Sequence, residues 1–405
     1  MFLGWGRSHR NAIKHWYFDK DPRDLALAVT KYRERQGWSH LDVLRLAHPK
    51  PGKEQTDYDD IFLYVKSDFE AVLNRKRKRD DESKGERVGN AEQAKLSKAL
   101  QLLEAVAKLK KMTDAAEAAK LIREYRLVRE HVPTQLLKNA DIWRALLPDM
   151  PLTALMRNLS TMTCVGLLTD TSDETNLTIL KLRNSQALRK ARIHPFSALV
   201  AFYVYKSGRK CFTSIVCCLE DVFYESFSLV EPTGKRFLVA LDVSGSMESP
   251  IRGSPLQCNL AAAAMCMLHV RSEPQCDVVC FSDELSPISL TKSMKLEEVL
   301  DVVKDIPMGA TDCALPMLWA TKHEKKYDVF IVYTDNDTWF GQMHPFEALL
   351  RYREKSGILN AKLIVVGMTA TDFTIADPND GGMLDVVGFD TAAPEIMSQF
   401  ILERI

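Results

Sequence analysis

Long apolar runs and paired cysteine motifs are missing from this chain of 405 residues. It contains no stretch of about 18 uncharged apolar residues, which excludes an ordinary transmembrane helix. Residues 1–16 have no apolar core and no small-residue cleavage site, so we expect no secretory signal. None of the nine cysteines forms a CxxC pair, so the sequence does not support a zinc-binding site. Their scatter predicts free thiols in a reducing cytosol, and hence a cytoplasmic protein.

Net charge is also missing, because 54 basic and 54 acidic side chains cancel. The two signs are nevertheless segregated along the chain. Residues 1–235 hold 40 Lys and Arg against 30 Asp and Glu, a balance of +10, which leaves 14 against 24, a balance of −10, for residues 236–405. We therefore expect two domains, 1–235 and 236–405. The basic domain is suited to binding a polyanion, and the acidic domain is suited to binding a divalent cation.

Helical periodicity dominates residues 1–235, and we find no strand pairs there. A long helix is predicted over 91–111, where leucine and valine repeat on one face. Other predicted helices cover residues 24–32, 39–48, 114–129, 134–147, 151–168, 176–192, 195–206 and 219–229. Irregular helical pairs with short links favour an α-solenoid, and a compact bundle is the alternative.

Strands and helices alternate in residues 236–405. Near-continuous apolar runs, typical of strands buried on both faces, occupy residues 236–243, 277–281, 328–333 and 361–366. Helical patterns lie between and after them, at 256–270, 296–306, 315–323, 345–355 and 394–402. This alternation predicts an α/β domain with a parallel, doubly wound sheet, whose ligands bind at the carboxyl ends of the strands.

Oxygen-bearing side chains follow two of these strands. Asp242, Ser244 and Ser246 form a D-x-S-x-S motif after the first strand, Thr311 lies in a later loop, and Asp335 follows the third strand. Two carboxylates and three hydroxyls are a hard oxygen set that suits a divalent cation, Mg²⁺ first and Mn²⁺ next. The alternative is a simple turn with Asx and serine caps.

The α/β half resembles a von Willebrand factor A domain, and these five residues match that family's metal-ion-dependent adhesion site. Asp312 and Asp337 are nearby candidates for the surrounding shell. The whole chain resembles the TROVE family, the protein family of the Ro ribonucleoproteins. The matching stretches are residues 27–32, 37–40, 44–48, 127–131, 150–155, 191–196, 230–237, 309–313 and 373–378.

That resemblance implies a ring of HEAT-like helical repeats, which lacks its N-terminal repeats here, followed by the A domain. It implies a noncatalytic RNA-binding protein that holds small noncoding Y RNAs on a basic outer surface and misfolded noncoding RNAs in a central hole. The alternative function is a protein-interaction module whose metal binds an acidic side chain of a partner. A metal-dependent hydrolase has little support, since no His or Cys base accompanies the metal loops. No membrane or DNA partner is expected.

The residues that match the family's RNA contacts are Lys31, Arg35 and His48, with His40 close by. Lys31 and Arg35 are four residues apart, so we expect them on one helix face, within reach of neighbouring phosphates. His48 is expected to donate to a phosphate or to stack on a base. The alternatives are a solvated helix face and a helix C-terminal cap. The insertion 74–85, which contains the basic run 75–79, is interpreted as a solvated helix end and mobile loop, with a nuclear-localisation signal or a polyanion-binding patch as the alternatives.

Overall fold

The structure is a computed structural model that describes residues 6–35, 37–52, 54–84, 96–251, 254–335, 340–369, 375–388 and 392–405, without the side chains of 79–84. The chain forms two compact units. The first unit comprises residues 1–150 and 161–168, and the second unit comprises residues 151–160 and 169–405. In the described parts of the chain, no helix is both long enough and apolar enough to cross a membrane.

The first unit is built mainly from helices. They are α1 (Arg7–Phe18), α2 (Pro22–Lys31), α3 (His40–Ala47), α4 (Thr56–Lys66), α5 (Phe69–Lys84), α6 (Lys98–Lys111), α7 (Ala115–Tyr125) and α8 (Ala140–Leu146). Helix α2 begins at an Asp21 cap, whose carboxylate accepts from the Arg23 backbone N–H at 2.9 Å, and it packs against α4 and α6. Leu25, Val29 and Val106 are buried in this core.

One short hairpin interrupts the helices of the first unit. Strands β1 (Glu34–Arg35) and β2 (Trp38–Ser39) pair antiparallel, with Arg35 opposite Trp38. Gly37 adopts φ 78°, a left-handed conformation that favours glycine. Our expectation of no strand pairs in residues 1–235 is therefore wrong, because two-residue strands are too short to show alternation.

The second unit contains the remaining helices and the main sheet. Its helices are α10 (Asp173–Leu182), α11 (Ser185–Ala191), α12 (Pro195–Lys206), α13 (Thr213–Ser226), α14 (Cys258–Ser272), α15 (Leu296–Lys304), α16 (Leu315–Lys322), α17 (Pro345–Ser356) and α18 (Ala393–Ile401), while α9 (Leu152–Cys164) has residues in both units. The Tyr224 hydroxyl of α13 accepts from the Leu296 N–H at 2.9 Å, and Arg271 lies 5.0 Å from the Tyr224 ring. Such contacts explain why α13 belongs to the same unit as the sheet. The predicted boundary at 235/236 stays a prediction.

The main sheet has six strands, which are β3 (Arg236–Asp242), β4 (Gln275–Phe281), β5 (Leu285–Ile288), β6 (Val329–Thr334), β7 (Lys362–Gly367) and β8 (Met383–Val387). Their order across the sheet is β5-β4-β3-β6-β7-β8. All neighbours are parallel except β4 and β5. The predicted α/β class is confirmed, and the four central strands lie where the apolar runs predicted them.

Helices cover both faces of this sheet. Leu238 and Ala240 of β3 belong to the core beneath α16 and α17, whereas Phe237 of the same strand stacks on His269 of α14 with ring centroids 5.3 Å apart. Strand β3 is therefore buried on both faces, as its continuous apolar run predicts. In its register with β6, Leu241 lies opposite Tyr333. The two strands consequently end side by side, at Asp242 and Thr334.

Candidate metal site and candidate RNA-binding surface

Asp242 is the buried centre of the candidate metal site, with a side chain only 2% exposed. Its Oδ1 accepts a hydrogen bond from the Ser244 backbone N–H at 2.8 Å. Its Oδ2 accepts from the Thr334 hydroxyl at 2.7 Å. Donors at the ends of two adjacent strands thus fix the orientation of this carboxylate.

The serines of the D-x-S-x-S motif extend from this carboxylate towards the surface. The hydroxyls of Ser244 and Ser246 lie 3.1 Å apart. Ser244 is buried, whereas Ser246 is exposed. The set of oxygens is therefore open to solvent on one side, where a water or an outside ligand has access.

The loop that carries Thr311 is held by two neighbouring segments. The Asp312 N–H donates to the Ser282 carbonyl at 3.0 Å, and the Phe340 N–H donates to the Thr311 carbonyl at 3.2 Å. Gly341 has φ 101°, and a Cβ there would clash with the Asp312 carboxylate. The backbone around Gly341 is thus held against the segment that carries Thr311.

The electrostatics of this site suit an added cation. Burial, and secondarily the charge of Asp335, raise the pKa of Asp242 to about 6. Burial also raises the pKa of Asp312. The buried Oδ1 of Asp335 has no hydrogen-bond partner among the described residues. A divalent cation would satisfy that oxygen and offset the repulsion, so the donor set fits Mg²⁺ or Mn²⁺.

No cluster of three His, Cys, Asp or Glu side chains that suits a metal occurs in the described parts of the chain. The candidate site depends instead on hydroxyl ligands, since Asp242 and Asp335 are its only predicted carboxylates. Asp337, the other acidic candidate near it, lies outside the described residues.

The structure brings Lys31 and Arg35 close together, although they do not lie on one helix. Helix α2 ends at Lys31, and Arg35 lies in strand β1, so the prediction that they share a helix face is wrong. Tyr32, with φ −109° and ψ 59°, leaves helical conformation and turns the chain into the hairpin. The Lys31 Nζ and the Arg35 guanidinium nevertheless each lie 4.9 Å from the centre of the Tyr32 ring. Both cations therefore flank one aromatic ring.

His40 is a packing residue in this structure. Its Nδ1 shares a hydrogen bond of 2.8 Å with the Tyr17 hydroxyl, and its ring stacks on Trp16 with centroids 5.7 Å apart. Burial lowers the pKa of His40, which favours the neutral ring. These contacts give His40 a role in joining α1 to α3, beside its predicted role in RNA binding.

His48 is exposed at the C-terminal cap of α3, in the left-handed conformation. Its backbone N–H donates to the Leu44 carbonyl, which is the capping role of the alternative interpretation. The residue also lines a groove of about 490 Å³ whose floor includes Leu44 and Phe62. The cations on this groove are those of Arg45, Lys50 and Lys66. An apolar floor with a basic rim suits a base beside a phosphate.

The basic run 75–79 is partly engaged by helix α4. Arg75 pairs with Asp59 at 2.9 Å and with the buried Asp60, and Lys76 lies 3.7 Å from Asp60. Helix α5 continues through Lys84, so the basic run lies within this helix. The Arg79 side chain lies outside the described residues. Only part of the run is therefore free to meet an anion.

Sequence reasoning missed two residues that organise these sites. Thr334 donates to Asp242, and its place directly before Asp335 at a strand end was the available signal. Tyr32 receives both Lys31 and Arg35, and its signal was an aromatic residue between two cations.

Comparison with known proteins matches both the helical part of the sequence and the part that forms the sheet. A model of the TROVE domain matches residues 1–207, and a model of the Ro60 vWA domain matches residues 236–401. The RNA-binding protein RO60 of Caenorhabditis elegans is 43% identical over 434 aligned positions, which cover 99% of this chain and 67% of that protein. The protein of the same name from Deinococcus radiodurans is 39% identical over 408 positions, which cover 98% of this chain and 72% of that protein.

A solved structure agrees with these sequence matches. The crystal structure of the Deinococcus radiodurans RO (RSR) protein superposes with a TM-score of 0.81 at 38% identity. The superposition covers 99% of this chain and 78% of that one.

Proposed function

The chain belongs to the TROVE family of Ro60 RNA-binding proteins, and from this premise we propose that its first unit binds small noncoding Y RNAs and misfolded noncoding RNAs in RNA quality control. The observation that carries the proposal is the pair of cations, Lys31 and Arg35, beside the exposed ring of Tyr32. Phosphate-binding cations next to an aromatic ring are the usual means of contacting RNA. The excess of basic residues in 1–235 supports the same choice of partner.

The first test of this proposal measures RNA affinity against salt. Filter binding would use a folded small noncoding RNA and a plain RNA duplex. Replacing Lys31 and Arg35 together by alanine should weaken binding of both RNAs and reduce the slope of log K against log salt by roughly one to two units. Lys108→Ala is the matched control, because that side chain is paired with Glu104 at 2.9 Å. Wild-type affinity without salt dependence would contradict the proposal.

His48 is assigned a different contribution. We expect His48→Ser to weaken binding of the folded RNA more than binding of the duplex. The slope of log K against log salt should stay nearly unchanged, because a base contact releases few counterions. An equal loss for both RNAs would assign His48 to phosphate contact instead.

We further propose that the second unit binds Mg²⁺ through Ser244, Ser246 and Thr311, with Asp242 and Asp335 beside them. The buried Oδ1 of Asp335 and the raised pKa of Asp242 support this proposal. When bound, the ion would supply a positive charge with few charged ligands, which attracts a carboxylate from outside. Thr334 and Ser244 keep Asp242 oriented.

Metal binding is tested by thermal unfolding with and without added Mg²⁺. Binding to the folded state alone raises Tm, and Asp242→Ala should abolish that rise. Asp277→Ala, at the opposite end of the neighbouring strand β4, is the control and should retain it. A wild-type Tm that does not respond to Mg²⁺ or Mn²⁺ would refute the site.

A second function is favoured by the surroundings of this site. Met308 and Phe340 are 60% and 51% exposed, and both belong to segments that touch the metal loops. An apolar rim around a cation fits a partner protein that presents an acidic side chain among apolar neighbours. Such binding should vanish with EDTA, whereas RNA binding should fall with salt.

We propose that this protein acts by binding, without catalysis, in the cytoplasm. All nine cysteines are free thiols, five of them buried, which favours a reducing compartment. The exposed part of the basic run, Arg77 and Lys78, leaves a nuclear pool as the alternative.

A further inference from the structure

The second unit contains a cavity of about 750 Å³ that includes none of the predicted metal or RNA residues. Its walls come from the turn between α11 and α12, from the segment 229–233 before β3, from the end of α14, and from α18 with the residues after it. Cavities of roughly 300–1,000 Å³ are typical of sites for small organic ligands. This cavity is therefore large enough to hold a small molecule.

Three arginines on the cavity wall carry positive charge. Arg189 lies in the last turn of α11, Arg192 is the C-terminal cap of that helix, and Arg404 follows α18. All three are exposed, and their guanidinium groups form no ion pair or hydrogen bond with another described residue. A guanidinium group can donate two parallel hydrogen bonds to phosphate oxygens. The arginines are therefore suited to binding a phosphate group.

The carboxylates of Glu231 and Glu395 line the same cavity without pairing with these arginines. Glu395 accepts a hydrogen bond from the Gln399 side chain at 2.8 Å, whereas Glu231 has no hydrogen-bond partner among the described residues. Opposite charges that line one cavity without forming an ion pair leave space for a ligand between them. A carboxylate is an acceptor only, and it can receive the hydroxyl groups of a ribose. Glu231 has both oxygens available for that contact.

A third carboxylate in the wall, that of Glu273, is already satisfied by the protein. Its Oε1 accepts from the Thr233 N–H at 2.8 Å and from the Thr233 hydroxyl at 3.0 Å, and its Oε2 accepts from the Gly234 N–H at 3.0 Å. The side chain is only 3% exposed. Glu273 therefore holds the segment before β3 in place as one wall of the cavity.

His194 adds a hydrogen-bond donor beside an apolar wall. Its Nδ1 accepts from the Phe196 N–H at 3.2 Å. Burial lowers the pKa of His194 to about 4, against the opposing effect of Glu395, so the ring is neutral at pH 7 and its proton lies on Nε2. That Nε2 has no partner in the described parts of the chain. Val230 and Met397 supply apolar surface to the same cavity.

We propose that this cavity binds a free ribonucleoside monophosphate. The arginines hold the phosphate, Glu231 accepts from the ribose hydroxyls, and the apolar wall with His194 receives the base. A nucleotide presents an anion, two hydroxyl donors and a flat heterocycle, which match the cations, the unpaired carboxylate and the apolar surface. Inorganic phosphate would use the arginines alone. This site is separate from the proposed RNA-binding residues, which belong to the first unit.

The experiment titrates the full chain by calorimetry in EDTA, which keeps the candidate metal site from contributing. AMP is compared with adenosine, which lacks the phosphate, with dAMP, which lacks the 2′-hydroxyl, and with ribose 5-phosphate, which lacks the base. Adenosine should bind roughly 10- to 150-fold more weakly than AMP because it loses charge-assisted hydrogen bonds, and dAMP about 2- to 12-fold more weakly because it loses one neutral hydrogen bond. Ribose 5-phosphate should also bind more weakly, since it buries less apolar surface.

Variants of the wall assign each contact. Arg189→Gln with Arg192→Gln should weaken AMP binding at least about tenfold and leave adenosine binding unchanged. If this double variant loses the wild-type Tm, the single change Arg404→Gln, which should weaken AMP in the same way, decides instead. Glu231→Gln should remove the preference for AMP over dAMP. Lys190→Gln is the matched control, because Lys190 is exposed between the two arginines and does not line the cavity.

Three results would overturn this inference. They are no binding of AMP up to about 1 mM, equal affinities for AMP and adenosine, or an AMP affinity that survives the arginine changes. A saturating folded noncoding RNA should leave the AMP affinity within about twofold, and displacement of AMP by that RNA would assign the cavity to RNA instead. Because the RNA-binding residues lie elsewhere, salt-dependent RNA binding would stand if AMP binding failed.

Discussion

At the scale of single residues, the hydrogen bond from Thr334 to Asp242 explains how a buried carboxylate keeps one orientation. Thr334→Val would leave Asp242 Oδ2 without this donor, at a cost of about 1–3 kcal/mol in the free energy of unfolding. Denaturant titration in EDTA measures this loss without any metal contribution. Thr334→Ser, which keeps the hydroxyl, should lose less.

The control for that change is Thr321→Val in α16. Its hydroxyl donates to the Met317 carbonyl one turn earlier, at 2.8 Å, a bond that contributes little to a helix. We expect Thr321→Val to lower the free energy of unfolding by less than about 0.5 kcal/mol. Equal losses at the two positions would show that Thr334 does not position Asp242.

A buried histidine makes stability depend on pH. The Thr30 hydroxyl donates to the Ala26 carbonyl, so His131 Nε2–H donates to Thr30, while Nδ1 accepts from the Val128 N–H at 3.4 Å. Burial and the charges of Lys110, Lys31 and Arg33 lower the pKa of His131 from 6.5 to about 4. Because the unfolded chain takes up the proton first, stability is full above about pH 6.5 and falls as pH decreases towards 4.

Replacing this histidine tests that relation. The lowered pKa of His131 corresponds to a loss of about 3 kcal/mol in the free energy of unfolding between pH 7 and pH 4. We expect His131→Gln to be less stable than wild type at pH 7, with a difference that shrinks as pH falls. Chemical unfolding at several pH values measures it, and the exposed His9→Gln is the control. A difference that is constant with pH would exclude His131 as the source.

At the scale of elements, one buried lysine attaches the last helix to the sheet. Lys362 of β7 is 8% exposed, and its Nζ donates to the Phe400 carbonyl at 2.6 Å, at the C-terminal end of α18. Its ammonium also lies 3.7 Å from Glu403 and 4.8 Å from the Phe400 ring. The cation therefore caps the end of the helix where the carbonyl dipoles are negative.

Removing that charge should loosen α18 before the rest of the fold. Lys362→Met forfeits a charge-assisted hydrogen bond of about 1.5–3 kcal/mol. Amide exchange in α18 should become roughly ten- to a hundredfold faster, while the amides of β3 and β6 keep their protection. Lys355→Met, on the exposed side of α17, should leave exchange in α18 unchanged. Uniformly faster exchange would mean that the lysine stabilises the whole sheet instead.

The elements also show where sequence patterns suffice. Strands β3, β4, β6 and β7 were predictable because burial on both faces produces a continuous apolar run. Strand β5 was missed since it is an edge strand that contains Pro287 and only partly buried side chains. Helix α5 was missed because charges fill its second half, and tertiary ion pairs from Arg75 to α4 compensate for the weak pattern.

The same reasoning applies to the candidate sites. The D-x-S-x-S motif is contiguous, so its placement at a strand end followed from the sequence alone. The meeting of Lys31 with Arg35 did not, since it depends on where α2 ends and on the turn at Gly37. Spacing predicts neighbours inside a regular helix and fails beyond its last residue.

At the scale of the whole molecule, the excess of basic residues and the excess of acidic residues lie in different parts of a chain that has no net charge. The metal residues belong to the second unit and the predicted RNA residues belong to the first. No described residue takes part in both sites. Coupling between two ligands requires that each favours one of two states of a shared element, and these sites share no side chain.

We therefore expect the two binding events to be independent. Asp242→Asn should abolish the Mg²⁺-dependent rise in Tm and leave the affinity for a preformed RNA duplex within about twofold of wild type, a coupling below roughly 0.5 kcal/mol. Conversely, the Lys31 and Arg35 double variant should lose RNA affinity and retain the full rise in Tm. Because linkage is reciprocal, any change of RNA affinity that Mg²⁺ causes in the wild-type protein must be matched by an equal effect of RNA on the Mg²⁺ affinity. Measuring both by calorimetry checks the result, and a matched pair of changes above tenfold would show that the metal site controls RNA binding.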